Sequence, residues 1–154
     1  MKARILPLSI LALVIAIAQP VLADPITLDM HQAESGNFYI HASLGEGIET
    51  DLLLDTGSGY VSVGKSTFDL IKESGNPRFS RHIYGRMASG KIEKVALYFV
   101  DELKLTGECI LRDIEVAHFP KADKDILGLN ALSRLQPFTM QLAPAKLTSA
   151  NCTG

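Results

Sequence analysis

The chain reads Leu52-Leu53-Leu54-Asp55-Thr56-Gly57-Ser58-Gly59 at the point that decides its fold. Three consecutive leucines predict a strand that is buried on both faces, and this strand then ends in a carboxylate, a hydroxyl and two glycines. A buried aspartate without a partner is costly, so the carboxylate must be hydrogen-bonded or share a proton. Because glycine has no Cβ, Gly57 and Gly59 allow a tight loop. The stretch therefore predicts a buried strand that delivers Asp55 into a compact loop.

The first 23 residues predict a secretory signal peptide. Lys2 and Arg4 form a short positive segment, and an apolar run over residues 5–18 leads to the small residue Ala23. This order is typical of a signal that is cleaved after Ala23. An uncleaved anchor is the alternative, although the apolar run is short for a membrane span. We therefore expect a mature chain, residues 24–154, that is periplasmic or secreted and has no membrane span after cleavage.

The composition of the mature chain predicts one soluble domain. The formal charge of the whole chain is −2, and removing Lys2 and Arg4 leaves −4. About 130 residues suffice for a substantial core, and no repeat or linker interrupts residues 24–154. An acidic balance without a long basic run argues against nucleic acid as a partner.

Two cysteines, Cys109 and Cys152, are disulfide candidates. Their separation excludes a CxxC redox or metal motif, and an oxidising compartment favours a bridge. We expect an intrachain disulfide that fixes the C-terminal tail. An intermolecular bridge and two free thiols are alternatives that the sequence leaves open.

Short strands separated by turn residues recur along the chain. An edge strand is predicted over residues 26–30, because apolar and polar residues alternate there. Further strands are predicted over residues 38–44, 48–54, 60–63, 92–100, 103–107, 110–118, 126–129 and 138–142. Such spacing predicts an all-β barrel or sandwich.

Two short helices are predicted between the strands. One covers residues 66–73, where Ser66 and Asp69 have the spacing of a capping box. The other covers residues 131–136, with Asn130 as its N-cap. The fold class is therefore all-β with one or two short helices.

Three short motifs resemble the retropepsin-like, single-domain branch of the aspartic peptidases, particularly its secreted bacterial members. Asp55-Thr56-Gly57-Ser58 resembles the active-site loop. Ala88-Ser89-Gly90 resembles the tip of the flap hairpin that binds substrate. Ile126-Leu127-Gly128 resembles the strand that supports the catalytic loop, and Leu129-Asn130-Ala131-Leu132 resembles the short helix after it. The motifs occur in the family's order over about residues 39–142.

The resemblance implies a β-barrel acid protease with Asp55 as the catalytic residue. It also implies that Thr56 bonds to the opposite active-site loop and that Gly57 lets the carboxylates approach. Ser58 would bond the outer carboxylate oxygen. The implied substrate is a peptide or protein, and neither a cofactor nor a metal is implied.

The single Asp-Thr-Gly motif predicts a homodimer. Hydrolysis without a metal or a covalent nucleophile needs a general acid and a general base on one water, which two carboxylates sharing a proton supply. This chain is too short for two lobes, so the second carboxylate must be Asp55 of another copy. A two-fold homodimer is therefore required for activity.

The chain departs from the retroviral pattern at two places. Gly59 and Tyr60 stand where retroviral enzymes carry acidic residues, and Leu129 stands where they carry arginine. Because these positions pair in the resembling enzymes, their joint loss predicts a different dimer contact.

Two rival functions follow from the same residues. The first is a non-catalytic periplasmic module that binds or scaffolds peptides on the same fold; the second is an envelope β-domain in which the motif is accidental. Metal hydrolysis is disfavoured because the histidines show no metal-ligand spacing, and serine hydrolysis because Ser58 lacks an elbow motif. Asp123-Lys124-Asp125 predicts a turn and not a calcium loop.

Overall fold

A computed structural model describes residues 24–75, 77–105 and 109–152. The predicted signal peptide, residues 1–23, lies outside the described residues, as do Thr106 and Gly107. In the described part of the chain, no helix has the length and apolar character needed to cross a membrane.

The described residues form strands with two short helices between them. The strands are β1 Ile26–Gln32, β2 Phe38–Leu44, β3 Ile48–Leu54, β4 Val61–Val63, β5 Arg78–Arg86, β6 Ile92–Lys104, β7 Ile110–His118, β8 Asp125–Leu127, β9 Phe138–Leu142 and β10 Ala145–Ser149. The helices are α1 Lys65–Ser74 and α2 Leu129–Leu132, and a 3-10 turn, Ser133–Leu135, follows α2.

Six strands close into a barrel in the order β6-β7-β4-β8-β3-β2. The barrel closes where β2 pairs with β6, with Ser43 opposite Lys104 and Leu44 opposite Leu103. Strand β5 continues the sheet beyond β6 as a hairpin, and β1, β10 and β9 continue it beyond β2. The predicted all-β barrel with a hairpin and two short helices is confirmed.

The barrel interior is filled by branched aliphatic side chains. Helix α1 covers one side of it with Phe68 and Ile71. Burying each large aliphatic side chain contributes about 1.5–3 kcal/mol, so this cluster is the main source of stability. Its most deeply buried members include Leu28, Ile40, Leu44, Leu52, Leu103, Leu111, Leu127, Leu132, Leu135 and Leu147.

Several strand predictions were wrong in their bounds or neighbours. Strand β1 is not an edge, because it pairs with β10 on one side and β2 on the other. Residues 103–104 belong to β6 and do not start a separate strand. Strands β5 and β10 were not predicted. The missed pairing of β1 with β10 joins opposite ends of the chain, which the local pattern of residues 26–30 does not identify.

Both predicted helix caps were wrong. Helix α1 begins at Lys65 after Gly64, and no side chain caps it. Asp69 instead pairs with Lys65 and with Lys72, whose Nζ lies 2.7 Å from Asp69 Oδ1. Helix α2 likewise begins earlier than predicted, after Gly128, without a side-chain cap.

The predicted intrachain disulfide between Cys109 and Cys152 is confirmed. It joins the residue before β7 to the segment after β10, so the C-terminal tail is fixed to the barrel. Cys109 is fully buried and belongs to the barrel core.

Candidate active site

Two strand ends bring the predicted active-site loop and its supporting loop together. Strands β3 and β8 are parallel, with Leu52 opposite Asp125 and Leu54 opposite Leu127. Because parallel strands end at the same edge of a sheet, the chain after each strand emerges at one place. The Asp55 N–H donates to the Leu127 carbonyl at 3.2 Å, which extends the pairing into the loop.

Gly128 lies directly against the backbone of the active-site loop. A Cβ at this position would lie 2.2 Å from the Tyr60 carbonyl oxygen and 2.8 Å from the Tyr60 nitrogen. The Leu129 N–H donates to the Ser58 carbonyl at 2.8 Å, and the Asn130 N–H donates to the Gly59 carbonyl at 3.1 Å. The predicted second loop therefore supports the first through backbone contacts that only glycine permits at 128.

The side chain of Asn130 fixes the far end of the loop. Its Oδ1 accepts the Val61 N–H at 2.7 Å, and its Nδ2 donates to the Glu115 carbonyl at 2.8 Å. The sequence interpretation assigned Asn130 to a helix cap and missed this role. A side-chain amide can replace a missing strand partner because it carries both a donor and an acceptor.

The carboxylate of Asp55 is oriented by its own loop. The Gly57 N–H donates to Asp55 Oδ1 at 2.8 Å, and a Cβ at Gly57 would lie 3.1 Å from the same oxygen. The Ser58 hydroxyl donates to the Tyr60 carbonyl at 2.9 Å, so its expected bond to the carboxylate is not made in this structure. Thr56 is exposed, and its bond to a second copy stays a prediction.

Burial around the loop differs from the expectation for a doubly covered strand. Leu52 is fully buried, whereas Leu53, Leu54 and Asp55 are only half-buried. The expectation that both faces of this strand are covered is wrong for the single chain. Asp55 therefore lies at the rim of the barrel and not inside the apolar core.

The hairpin between β5 and β6 carries the predicted flap residues at its tip. The Met87 N–H donates to the Lys91 carbonyl at 2.8 Å, and Gly90 has a φ of 82°, which favours glycine. Ala88, Ser89 and Gly90 are all exposed. The predicted hairpin is confirmed, while its movement over a substrate stays a prediction.

The base of this hairpin packs against the active-site loop. A small apolar cluster of Val95, Leu97 and Ala117 lies apart from the barrel core. Tyr60 from the loop and Ile83 from β5 pack against it. The tip is thus connected to the Asp55 loop through β5, β6 and the Tyr60 ring.

Comparison with solved structures identifies this arrangement. A crystal structure of a retropepsin-like aspartic protease from Rickettsia conorii superposes with a TM-score of 0.58 at 18% sequence identity. The match covers 82% of this chain and 89% of that chain. This chain has a retropepsin-like fold. No protein-family model and no curated protein sequence matches it.

Asp125, at the start of β8 in this retropepsin-like fold, is a buried carboxylate that the sequence interpretation placed in a turn. Its Oδ2 accepts the hydroxyls of Thr50 and Thr67, each at 2.6 Å, and its Oδ1 accepts the Gly64 N–H at 2.9 Å. The side chain therefore ties β3 and the start of α1 to β8. Its role is structural, because its carboxylate accepts three hydrogen bonds from the protein and it lies on β8, the strand that leads to Gly128.

His118, at the end of β7, is a partly buried histidine on the barrel side. Its ring stacks on Phe68 with a centroid distance of 4.0 Å. Burial lowers the pKa of His118 below its usual value. The positive charges of Lys72 and Lys65 lower this pKa further, whereas the negative charge of Asp69 raises it. Among the described residues, no group of three or more His, Cys, Asp and Glu side chains is arranged to bind a metal.

A cavity of about 590 Å³ lies away from the candidate site of the retropepsin-like fold. Its lining comes from the end of α1, the β2–β3 turn and the second half of β6, and includes Ile71, Phe99 and Glu102. Neither Asp55 nor the hairpin tip lines it. The candidate site is therefore the open rim at Asp55 and not this cavity.

Proposed function

We propose that this chain is an aspartic endopeptidase that acts as a homodimer, with Asp55 of each subunit as a catalytic carboxylate. The observation that carries the proposal is the Asp55 loop itself. Its carboxylate is oriented by the Gly57 N–H, and Gly128 supports the loop from behind. The retropepsin-like fold gives this loop the same kind of barrel that the R. conorii protease uses.

Two such carboxylates can hydrolyse a peptide bond together. One carboxylate accepts a proton from water as its oxygen attacks the carbonyl carbon, and the other carboxyl donates its proton to the carbonyl oxygen. The first carboxyl then gives the proton that it took from water to the amide nitrogen, the C–N bond breaks, and the second carboxylate takes a proton from a hydroxyl of the intermediate. Two carboxylates at close range share one proton, because both cannot ionise, and so supply acid and base at once.

The exposed surroundings of Asp55 support a site that a second copy completes. Leu53 and Leu54 are half-buried, Thr56 is exposed, and Leu129 is 44% exposed although it adjoins the loop. Covering these residues with the same surface of another chain would bury them and bring the second Asp55 into place.

The substrate and the compartment follow from the same proposal. An extended peptide would bind between the two active-site loops and the hairpins, where strand edges can pair with its backbone. The protein acts in the periplasm or outside the cell after cleavage behind Ala23. The Cys109–Cys152 disulfide supports this location, because such bonds persist in oxidising compartments.

A cleavage assay tests the catalytic role of Asp55. The full chain is expressed with export, its N-terminal mass is measured, and the purified protein is mixed with a diverse peptide library at mildly acidic pH. We expect cleavage by wild type and by the control Asp51→Asn, whose half-exposed carboxylate lies on β3 before the loop, but not by Asp55→Asn. Cleavage that survives in Asp55→Asn would refute the mechanism. Peptide binding without cleavage by any variant would favour the non-catalytic module.

A mixing experiment tests the second copy. Excess Asp55→Asn protein added to wild type should form mixed dimers with one catalytic carboxylate, so activity should fall as the excess grows. Excess Asp51→Asn should cause no such loss. Wild-type activity that is independent of added Asp55→Asn protein, from a chain that sediments as a monomer, would refute the dimeric mechanism.

A further inference from the structure

A charged cluster joins the flap hairpin to the active-site loop. Arg81 lies on β5, Glu115 on β7, and Tyr60 at the end of the loop. Arg81 Nη2 donates to Glu115 Oε2 at 2.8 Å and to the Tyr60 hydroxyl at 3.2 Å, and its Nη1 also donates to Glu115 Oε1. The Ser80 hydroxyl donates to Glu115 Oε1 at 2.6 Å.

The geometry of the cluster favours arginine at this position. The Glu115 side chain is only 16% exposed, and it binds both terminal nitrogens of Arg81. A bidentate pair fixes the plane of the guanidinium, which directs the remaining hydrogen of Nη2 toward the Tyr60 hydroxyl. A lysine carries one compact charge and cannot make the fork to Glu115 and the bond to Tyr60 together.

The two residues that Arg81 binds, Tyr60 and Glu115, also contact the candidate site through their backbone. The Tyr60 backbone contacts Gly128, and its carbonyl accepts the Ser58 hydroxyl. The Glu115 carbonyl accepts the Asn130 amide, which in turn binds the residue after Tyr60. The cluster therefore lies within a closed set of contacts between the hairpin base, the Asp55 loop and the loop behind it.

We propose that Arg81, fixed by Glu115, is a positioning residue that sets the Asp55 loop at a defined distance from the hairpin through the Tyr60 hydroxyl. This inference rests on the proposed peptidase function. The hairpin would hold the peptide and the loop holds the carboxylate, so the contact between them aligns the scissile bond with the catalytic group. Displacements of about 1 Å at an active site can lower rates about 100-fold.

A double-mutant cycle on the full, exported chain tests the catalytic part. Tyr60→Phe removes only the hydroxyl, and Arg81→Met removes the guanidinium. We expect each to lower kcat about tenfold or more with KM changed less than about twofold, because alignment and not binding is lost. The kcat of the double variant should be no lower than that of the less active single variant, since both changes remove the same Arg81–Tyr60 contact. The control is Arg78→Met, an equal charge change on β5 whose guanidinium pairs with Asp113.

Amide hydrogen exchange tests the contact without relying on activity. Tyr60→Phe and Arg81→Met should speed exchange in residues 56–61 and 79–87, whereas Arg78→Met should leave residues 56–61 unchanged. Unchanged kcat in an active Tyr60→Phe enzyme, or losses that simply multiply in the double variant, would overturn the inference. If wild type cleaves no peptide, the peptidase proposal fails on its own, and the exchange data still test whether Arg81 couples the hairpin to the Asp55 loop. Faster exchange in both segments would then support the coupling, and unchanged exchange would overturn it.

Discussion

Replacing Gly128 with alanine is the sharpest perturbation of the loop that supports Asp55. The added Cβ would lie 2.2 Å from the Tyr60 carbonyl oxygen and 2.4 Å from its carbonyl carbon. Gly128 has a φ of −95°, which alanine adopts without strain, so the contact alone causes the effect. Both atoms that it meets belong to backbone and cannot rotate away. The two loops must therefore separate.

The size of the effect follows from those contacts. Real Cβ atoms essentially never approach closer than 3.0 Å, so the loops must move apart by about 0.8 Å or more. Overpacking of this kind costs about 1–3 kcal/mol. The movement also strains the Leu129 and Asn130 N–H bonds to Ser58 and Gly59, each contributing about 1 kcal/mol. We expect Gly128→Ala to lower the free energy of unfolding by about 3–5 kcal/mol.

Urea unfolding followed by circular dichroism measures this loss, with all variants at one protein concentration because a dimer's stability depends on it. Gly59→Ala is the matched control, because a Cβ there meets no atom within 4 Å. We expect it to change stability by less than about 0.5 kcal/mol. A Gly128→Ala variant whose free energy of unfolding lies within about 1 kcal/mol of the wild-type value would refute the close contact. Equal losses in both variants would show that the loop rejects any side chain.

Three further predictions concern stability. His118→Phe should become more stable relative to wild type as the pH falls below about 6.5, by at most about 1.4 kcal/mol per pH unit, because the unfolded histidine takes up a proton that the folded one resists. Asp125→Ala should lower the free energy of unfolding by about 3 kcal/mol, since it leaves three donors without an acceptor, whereas Asp123→Ala on the exposed turn should lower it by less than about 0.5 kcal/mol. Replacing Cys109 and Cys152 by serine should cost about 4 kcal/mol, from the entropy of a loop with a sequence separation of 43.

Denaturant titrations check all three. For His118→Phe the decisive quantity is the difference from wild type at pH 7.5 and pH 5.5 (about one unit either side of the usual histidine pKa), so that other titrating groups cancel. A difference independent of pH would contradict the burial argument. Equal effects of the Asp125 and Asp123 substitutions would contradict the structural role of Asp125. For the cysteines, reduced wild type is the control and should match the double serine variant.

The parts of the site predicted from sequence are those in which a short motif determines the local backbone conformation. Asp55-Thr56-Gly57 and Ile126-Leu127-Gly128 were predicted as two loops of one site, and the structure places Gly128 against Tyr60. The hairpin tip at Gly90 followed from its small residues. In each case the sequence signal is a glycine, at a position where the structure leaves little room for a Cβ or has a positive φ.

The parts that were missed depend on contacts between distant residues. Asn130 and Ser66 both match local capping preferences, yet the Asn130 amide binds Val61 and Glu115. The start of α1 is fixed instead by Asp125, which accepts the Gly64 N–H from 61 positions along the chain. A local preference worth about 1 kcal/mol is easily outweighed by such tertiary contacts.

The departure from the retroviral pattern has a structural counterpart. Tyr60 and Leu129 are the residues at which the sequence departs from the retroviral enzymes that it resembles. In this chain the Tyr60 hydroxyl accepts a hydrogen bond from Arg81, an arginine on the hairpin. The sequence alone did not predict this pair, because the two residues are 21 positions apart and meet only once β5 has paired with β6 in the sheet.

The parallel pairing of β3 with β8 also governs when the site can form. Leu52 and Asp125 are partners, so the Asp55 loop lacks its support until the chain between them has closed a loop of about 70 residues. Pairings this distant form slowly, because the entropy of closure precedes the contacts that offset it. A chain interrupted before Asp125 carries the complete Asp-Thr-Gly motif without the strand behind it. We therefore expect the catalytic geometry to appear late in folding, when β8 inserts between β4 and β3 and completes the barrel.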